Sequence, residues 1–86
     1  MARGRRAKAQ RRTIGVDADV RRRIGSHLRG LRDERRMTQA SVANGAFTAA
    51  FISMVESGRA LPSMKSLLHM AHRLRVPLRQ TLPPDL

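Results

Sequence analysis

Arginine is the residue type that gives this sequence most of its potential chemistry. The 86 residues include 18 lysines and arginines against 6 aspartates and glutamates, for a formal net charge of +12 and an isoelectric point near 12.0. Such a charge attracts polyanions and releases their condensed counterions when it neutralises phosphates. The composition therefore favours nucleic acid as the partner, with an anionic membrane surface as the alternative.

Histidines that could bind a metal or take part in catalysis are present, but the further ligands and catalytic side chains that such sites require are not found near them. His69 and His72 stand three residues apart, a spacing that can bind a metal on one helix face, but no carboxylate or cysteine lies beside them. His27 is interpreted as a residue at the boundary of the core. The sequence contains no glycine-rich phosphate loop, Ser-His-Asp set or paired carboxylates. We therefore expect no enzyme activity, no metal and no cofactor.

Length and hydropathy indicate one small domain. Apolar residues make up 41% of the chain and the mean hydropathy is −0.43, which is enough for a modest core. No run approaches the roughly 18 apolar residues that span a bilayer, and no apolar segment follows the basic N-terminus as it does in a secretory signal. The chain has no cysteine, which fits a reducing cytosol, and we expect a cytoplasmic protein.

Residues 1–18 are predicted to form a disordered basic arm, because like charges repel and almost nothing apolar is present. The arm could follow phosphates or enter a minor groove, and the alternative is a solvated tail. Residues 1–19 hold six basic and two acidic groups, and residues 20–86 hold twelve and four, so the folded part is basic in its own right. The cations of the arm are Arg3, Arg5, Arg6, Lys8, Arg11 and Arg12.

Apolar periodicity predicts an all-α fold, a compact bundle of about five short helices with its domain at residues 19–82. The first helix should begin at Asp17 or Asp19, either of which suits a helix N-terminus. Gly25 and Gly30 lower helix propensity, and we interpret both as sites of close helix packing. The apolar stripe of this helix consists of Val20, Ile24, Leu28 and Leu31.

Residues 37–63 are the segment around which the other helices are organised. Thr38 and Thr48 can each cap a short helix, over 39–44 and 49–57, because a threonine oxygen accepts an N–H that would otherwise lack a partner. Gly45 is expected to end the first of these helices with a positive φ angle. Two short helices joined this tightly need flanking helices to bury them. The side chains expected to face inward are Val42, Ala43, Phe51, Ile52 and Val55.

The C-terminal part of the chain predicts two further helices. Ser63 caps the fourth helix, and Pro77 can occupy the first turn of a short fifth helix. Residues 83–86 are a tail or the start of a linker. The side of the fourth helix expected to be buried consists of Met64, Leu67, Leu68, Met70, Ala71 and Leu74.

Three stretches resemble the lambda-repressor-like, or Xre-type, helix-turn-helix family, to which Cro and phage repressors belong. They are MTQASVA at 37–43, FTAAFISMVESGRALPS at 47–63 and LLHMAHRLRVPL at 67–78. The match covers residues 24–82, most of the part expected to fold. In one departure, the link Asn44–Phe47 is one residue shorter than the commonest family spacing, which displaces the family's glycine and resembles a subgroup with Phe-Thr or Phe-Ser before the helix.

The resemblance implies that helix 49–57 is a recognition helix that lies in the DNA major groove. Its base-facing positions are mostly small or apolar and suit thymine methyl groups, so direct readout should be weak and DNA shape should contribute. Met54 could instead fill the core, as methionines commonly do, and Phe51 is expected to be partly buried scaffold. The positions that match base readers are Thr48, Ala49, Ala50, Ser53 and Met54.

The resemblance also implies contacts with DNA phosphates and one structural ion pair. Arg32 and Glu56 match a family pair that joins the first helix to the recognition helix, and the alternative is two ordinary surface charges. Phosphate contacts set docking and register rather than sequence preference. The positions that match phosphate contacts are Gln39, Arg59 and Ser63, and Arg35 and Arg36 are added because they are cations next to the start of the helix-turn-helix.

The function expected from this resemblance is a DNA-binding transcriptional regulator, repressor-like and homodimeric, that acts on double-stranded DNA at the nucleoid of a prokaryotic-type cell. One alternative is a protein adaptor similar to multiprotein bridging factors, which share the fold and a Glu-Ser-Gly-Arg-Ala stretch. Another is a nonspecific nucleic-acid binder driven by its arginines. Family members often continue past the Val-Pro-Leu segment into a sensing domain, so a further C-terminal domain or a protein partner is also possible.

Overall fold

The computed structural model describes residues 17–86, which form four α-helices and one 3-10 helix. The α-helices are α1 (Ala18–Glu34), α2 (Gln39–Ala43), α3 (Ala49–Glu56) and α4 (Met64–Leu74), and the 3-10 helix is Leu78–Thr81. The all-α fold predicted from the sequence is confirmed over these residues, which contain no strand beyond one isolated bridge in a turn. The basic arm lies outside the described residues.

The prediction of about five short helices is confirmed, with one difference: the fifth is a 3-10 helix and not an α-helix. The segment after Pro77 is a single 3-10 turn of four residues, in which the Thr81 hydroxyl donates to the Leu78 carbonyl at 2.6 Å. Its backbone hydrogen bonds join residues three apart, from Gln80 N to the Pro77 carbonyl at 2.9 Å and from Leu82 N to the Arg79 carbonyl at 3.4 Å, which is the 3-10 pattern. The turn nevertheless packs on α1 and α4 and closes one end of the core.

Side-chain oxygens cap all four α-helices in the way that the sequence indicates. Asp17 accepts the Val20 N–H at 2.9 Å, and three hydroxyls make the equivalent bond. This arrangement satisfies one backbone donor in each first turn that has no partner within the helix. The three hydroxyl caps are Thr38 to Ser41 N at 3.0 Å, Thr48 to Phe51 N at 3.0 Å and Ser63 to Ser66 N at 3.1 Å.

The buried core draws apolar side chains from every α-helix. Two residues expected in it are exposed instead: Met64 is 61% and Leu68 is 52% accessible. The buried arc of α4 extends towards Ser66, not towards Leu68, because α2 and the 3-10 helix cover that side. The buried apolar residues are Ile24, Leu28, Val42, Ala43, Ile52, Val55, Leu67, Met70, Ala71 and Leu74.

Only one of the two glycines of α1 is a site of close packing. A Cβ atom on Gly25 would lie 2.7 Å from the Glu56 carbonyl oxygen and closer still to that of Val55. A Cβ atom on Gly30 would meet nothing within 4 Å. The prediction is therefore correct for Gly25, where α1 crosses the end of α3, and wrong for Gly30, which faces open space.

Two residues with left-handed backbone form the tight turn between α2 and α3. Asn44 has φ 47° and Gly45 has φ 79°, so α2 ends at Ala43, one residue earlier than expected. The Ala43 carbonyl then accepts the N–H groups of Ala46 at 3.0 Å and Phe47 at 3.4 Å. Helix α3 also ends one residue earlier than expected, at Glu56, because Ser57 is its C-cap.

Replacing Gly45 with alanine is expected to destabilise the domain by about 1 kcal/mol, because a Cβ atom disfavours positive φ although the site has room for it. Urea denaturation measures the change. Gly45→Asn should lose less, since asparagine tolerates the left-handed region. Equal losses for the two variants would show that the backbone angle is not the cause.

Candidate nucleic-acid interface

The exposed face of α3 carries the residues that the sequence indicates as base readers. Ala50, Ser53 and Met54 are exposed at i, i+3 and i+4, while Ile52 and Val55 on the opposite face are buried. Met54 is 45% accessible, so the alternative that it fills the core is wrong. The helix thus anchors one face in the core and presents a small, largely apolar surface on the other.

Two further positions frame this surface at the N-terminus of α3. Thr48 is exposed and caps the helix, so its hydroxyl oxygen already accepts the Phe51 N–H. Ala49 is half-buried and lies at the edge of the exposed face. Phe51 is partly buried, as expected for scaffold: its ring stacks on Phe47 with centroids 5.3 Å apart. The structure therefore places three of the five proposed base-facing residues on one exposed face of α3, with Thr48 at its N-cap and Ala49 at the edge of that face.

An ion pair fixes α3 to α1. Arg32 donates from Nε to Glu56 Oε2 at 2.6 Å and from Nη2 to Oε1 at 3.1 Å, and the two side chains are only 13% and 5% exposed. These hydrogen bonds raise the pKa of the Arg32 guanidinium above its ordinary value. The interpretation of the two residues as ordinary surface charges does not fit this burial.

The same ion pair reaches the start of α2. Arg32 Nη1 donates to the Met37 carbonyl at 2.7 Å, and Gln39 Nε2 donates to Glu56 Oε1 at 3.1 Å. The cluster Arg32–Gln39–Glu56 therefore joins the end of α1, the start of α2 and the end of α3. It holds both helices of the helix-turn-helix unit in one orientation relative to the rest of the domain.

The five residues proposed to contact phosphates differ in how free their side chains are. Gln39 is engaged with Glu56, and the Ser63 hydroxyl caps α4 and hydrogen-bonds to Ser66. Arg35 donates from Nε to the Leu74 carbonyl at 2.7 Å and from Nη1 to the Leu31 carbonyl at 3.0 Å. Within residues 17–86, the exposed Arg36 and Arg59 bond no other side chain.

His69 has a structural role that its sequence context did not indicate. Its Nε2 atom lies 3.0 Å from the carbonyl oxygens of both Val42 and Ala43, and its ring meets Phe47 edge-on at 5.4 Å. Because both neighbours of Nε2 are acceptors, this nitrogen carries a hydrogen and donates it. His69 thus ties α4 to the end of α2, and the described residues contain no group of three or more side chains suited to a metal.

Two arginines of α4 and its C-cap extend the basic surface and were not singled out from the sequence. Arg73 donates from Nε to the Ser41 carbonyl at 3.1 Å, and Arg75 caps α4 with φ 60°. The end of α4 could have drawn attention to Arg75 in the sequence, because arginine stands there in place of the glycine or asparagine that is usual at a left-handed helix end. Their position beside Ser41 of α2 and beside Arg35, the C-cap of α1, depends on the tertiary fold, so the sequence alone did not reveal it.

Comparison with known proteins finds solved structures that have the same fold. No family model matches the sequence, and no curated protein matches it. The crystal structure of the restriction-modification controller protein C.AhdI from Aeromonas hydrophila matches with a TM-score of 0.71 and 25% identity, over 77% of this chain and 100% of that chain.

Two further solved structures share the fold. The clp gene regulator ClgR from C. glutamicum matches with a TM-score of 0.67 and 24% identity, over 72% of this chain and 82% of that chain. The DNA-binding domain of BldD matches with a TM-score of 0.69 and 20% identity, over 79% of this chain and 100% of that chain.

The fold and the three structures agree with the resemblance found in the sequence. The chain has the fold of the lambda-repressor-like, Xre-type helix-turn-helix proteins, and that prediction is confirmed. None of the helices within residues 17–86 is long and apolar enough to cross a membrane.

Proposed function

We propose that the protein is a DNA-binding transcriptional regulator of the repressor-like type, that it is not an enzyme, and that α3 enters the major groove. The observation that carries the proposal is the exposed face of α3, formed by Ala50, Ser53 and Met54, on a helix whose other face is fixed in the core. A regulator of this kind acts on the chromosome, which lies in the cytoplasm of a prokaryotic-type cell. The proposal therefore places the protein in the cytoplasm.

The chemistry of this face suits limited base readout. Methyl and thioether groups can contact thymine methyls, and the Ser53 hydroxyl can hydrogen-bond a base edge. The flanking cations Arg36 and Arg59 are exposed and can bind phosphates, which fixes register without reading sequence. Ser63 and Gln39 lie at helix N-termini, where backbone N–H groups favour an anion even though their side chains are engaged. The arm would add phosphate or minor-groove contacts, and its residues lie outside the described chain.

We further propose a homodimer on a two-fold-symmetric site. A single recognition helix of eight residues reaches few base pairs, and two copies on one duplex would double the contacted sequence. An enriched palindrome, together with a protein mass of two chains in sedimentation of the complex, would support the dimer. A single, asymmetric half-site bound by one chain would contradict it.

The first test is the selection of bound duplexes from a random library at about 150 mM salt, where purely electrostatic binding is weak. Ser53→Ala is expected to lower affinity for the enriched site by about fivefold, the loss of one hydrogen bond to a base. Ser26→Ala is the matched control, because Ser26 is an exposed serine on α1. Both variants should unfold at the wild-type temperature.

The alternatives predict different results in the same experiment. A nonspecific binder would enrich no sequence, and its affinity would fall uniformly as salt rises. An adaptor would bind duplex poorly and would retain a protein partner. The adaptor is not favoured, because the similar structures are described as a controller protein, a gene regulator and a DNA-binding domain.

A further inference from the structure

An open pocket of about 430 Å³ lies between the ends of α1 and α4, and none of its lining residues belongs to α3. Three of its five lining residues are arginines, and no acidic residue lines it. The nearest carboxylate is that of the exposed Glu34, 3.5 Å from Arg35 Nη1. The lining residues are Arg35, Met37, Arg73, Leu74 and Arg75.

Backbone carbonyls hold two of the three arginines in place. Arg35 donates to the carbonyls of Leu31 and Leu74, and Arg73 donates to that of Ser41. The partial negative charge at the C-terminal ends of α1 and α4 is thus sufficient to explain why an arginine occupies position 35. Arg75 differs from both of these arginines, because it is exposed and its guanidinium bonds no other residue among those described, which leaves it free to bind a ligand.

The backbone gives independent support for a role of the charge at this position. Arg75 has φ 60° and ψ 44°, and Arg36, beside the pocket, has φ 55°. Glycine or asparagine occupies such left-handed helix ends at a lower conformational cost. Arginine therefore has a higher backbone conformational cost than glycine or asparagine at both ends, and residues in such sparsely populated conformations concentrate at functional sites.

We propose that Arg35, Arg73 and Arg75 bind a backbone phosphate of the DNA that flanks the recognised site, with Arg36 at the edge of the pocket. Met37 lines the pocket and directly precedes Thr38 and Gln39, the start of α2 that docks on DNA in the proposed function. The pocket therefore continues the docking surface beyond the helix-turn-helix unit. This inference rests on the proposed function and adds a sequence-independent contact to it.

The test uses Arg75→Asn, because asparagine accepts the left-handed backbone and should keep or raise the unfolding temperature. Binding is measured on two duplexes: the selected site alone, and the same site with a further half turn of duplex on each side. On the longer duplex the variant should lose about fivefold in affinity, and the slope of log K against log salt should fall by about 0.9, the value for one phosphate. On the shorter duplex it should match the wild type.

Arg79→Asn is the matched control, because Arg79 is exposed on the 3-10 helix and its side chain bonds no other described residue. If Arg75→Asn and Arg79→Asn lose the same affinity for the longer duplex while the wild type binds the selected site, the proposed phosphate site in the pocket is refuted. The proposed function is unaffected by that result. If the wild type prefers no sequence, the same comparison on long and short duplexes of unrelated sequence still tests the pocket, since a phosphate contact does not depend on sequence. Failure of the wild type to bind any duplex would refute both.

Discussion

Gly25→Ala is expected to destabilise the domain by about 3 kcal/mol, which corresponds to a fall of roughly 15 °C in Tm. The added Cβ atom would lie 2.7 Å from the Glu56 carbonyl oxygen and nearer to that of Val55. Both obstacles are backbone atoms of α3, so no side-chain rotation can relieve the overlap. The two helices must separate, and the buried contacts of Ile24 and Val55 loosen with them.

Gly30→Ala provides the internal control, because it makes the same substitution on the same helix in open space. It is expected to stabilise the domain by up to about 1 kcal/mol through higher helix propensity. Thermal unfolding by circular dichroism measures both variants. If Gly25→Ala also stabilised the domain, the close crossing of α1 and α3 would be refuted.

Glu56→Ala is expected to destabilise the domain by about 4 kcal/mol, because it leaves the buried Arg32 guanidinium without its partner. The loss also removes the acceptor of Gln39 Nε2, so the start of α2 loses a contact. DNA affinity should fall beyond what unfolding explains, since the cluster sets the mutual orientation of α2 and α3. Chemical denaturation gives the stability, and titration of the folded variant with duplex gives the affinity.

Asp33→Asn is the control for charge alone, because Asp33 lies 3.5 Å from Arg32 Nη1 but is 57% exposed. Its effect should stay within about 0.5 kcal/mol, as is usual for an exposed pair. The double variant Arg32→Met with Glu56→Leu removes both buried charges and should recover much of the stability. A loss for Glu56→Ala no greater than that for Asp33→Asn would contradict the structural role of the pair.

Local chemistry made the elements of this fold predictable. The caps at Asp17, Thr38, Thr48 and Ser63 are confirmed because each depends on a side chain and a backbone donor three residues away. The short fifth helix is present as a 3-10 helix, with Pro77 as its N-cap and not in its first turn, because Pro77 marks where a turn begins but not how many residues continue it. Segment type follows from neighbours in sequence, whereas segment length also depends on what the segment packs against.

Tertiary packing determines which side chains of each helix are buried and which are brought together, and the sequence alone did not show this. Leu68 continues the apolar pattern of α4, yet it is exposed because α2 and the 3-10 helix cover the other side of that helix. Gly25 and Gly30 are alike in sequence, and only the position of α3 separates them. The same holds for Arg73 and Arg75, whose charges join that of Arg35 only when the ends of α1 and α4 meet.

The division of α3 into a buried face and an exposed face bears on how the DNA preference of the proposed regulator could change. Ile52, Val55 and Glu56 hold the helix to the domain, while the side chains of Ala50, Ser53 and Met54 bond nothing else among residues 17–86. Exposed positions without such contacts accept substitutions with little effect on stability. Under the proposed function, a new DNA preference would therefore arise by exchange of three side chains on an unchanged scaffold, which makes this small domain suitable for redesign by randomising only those codons.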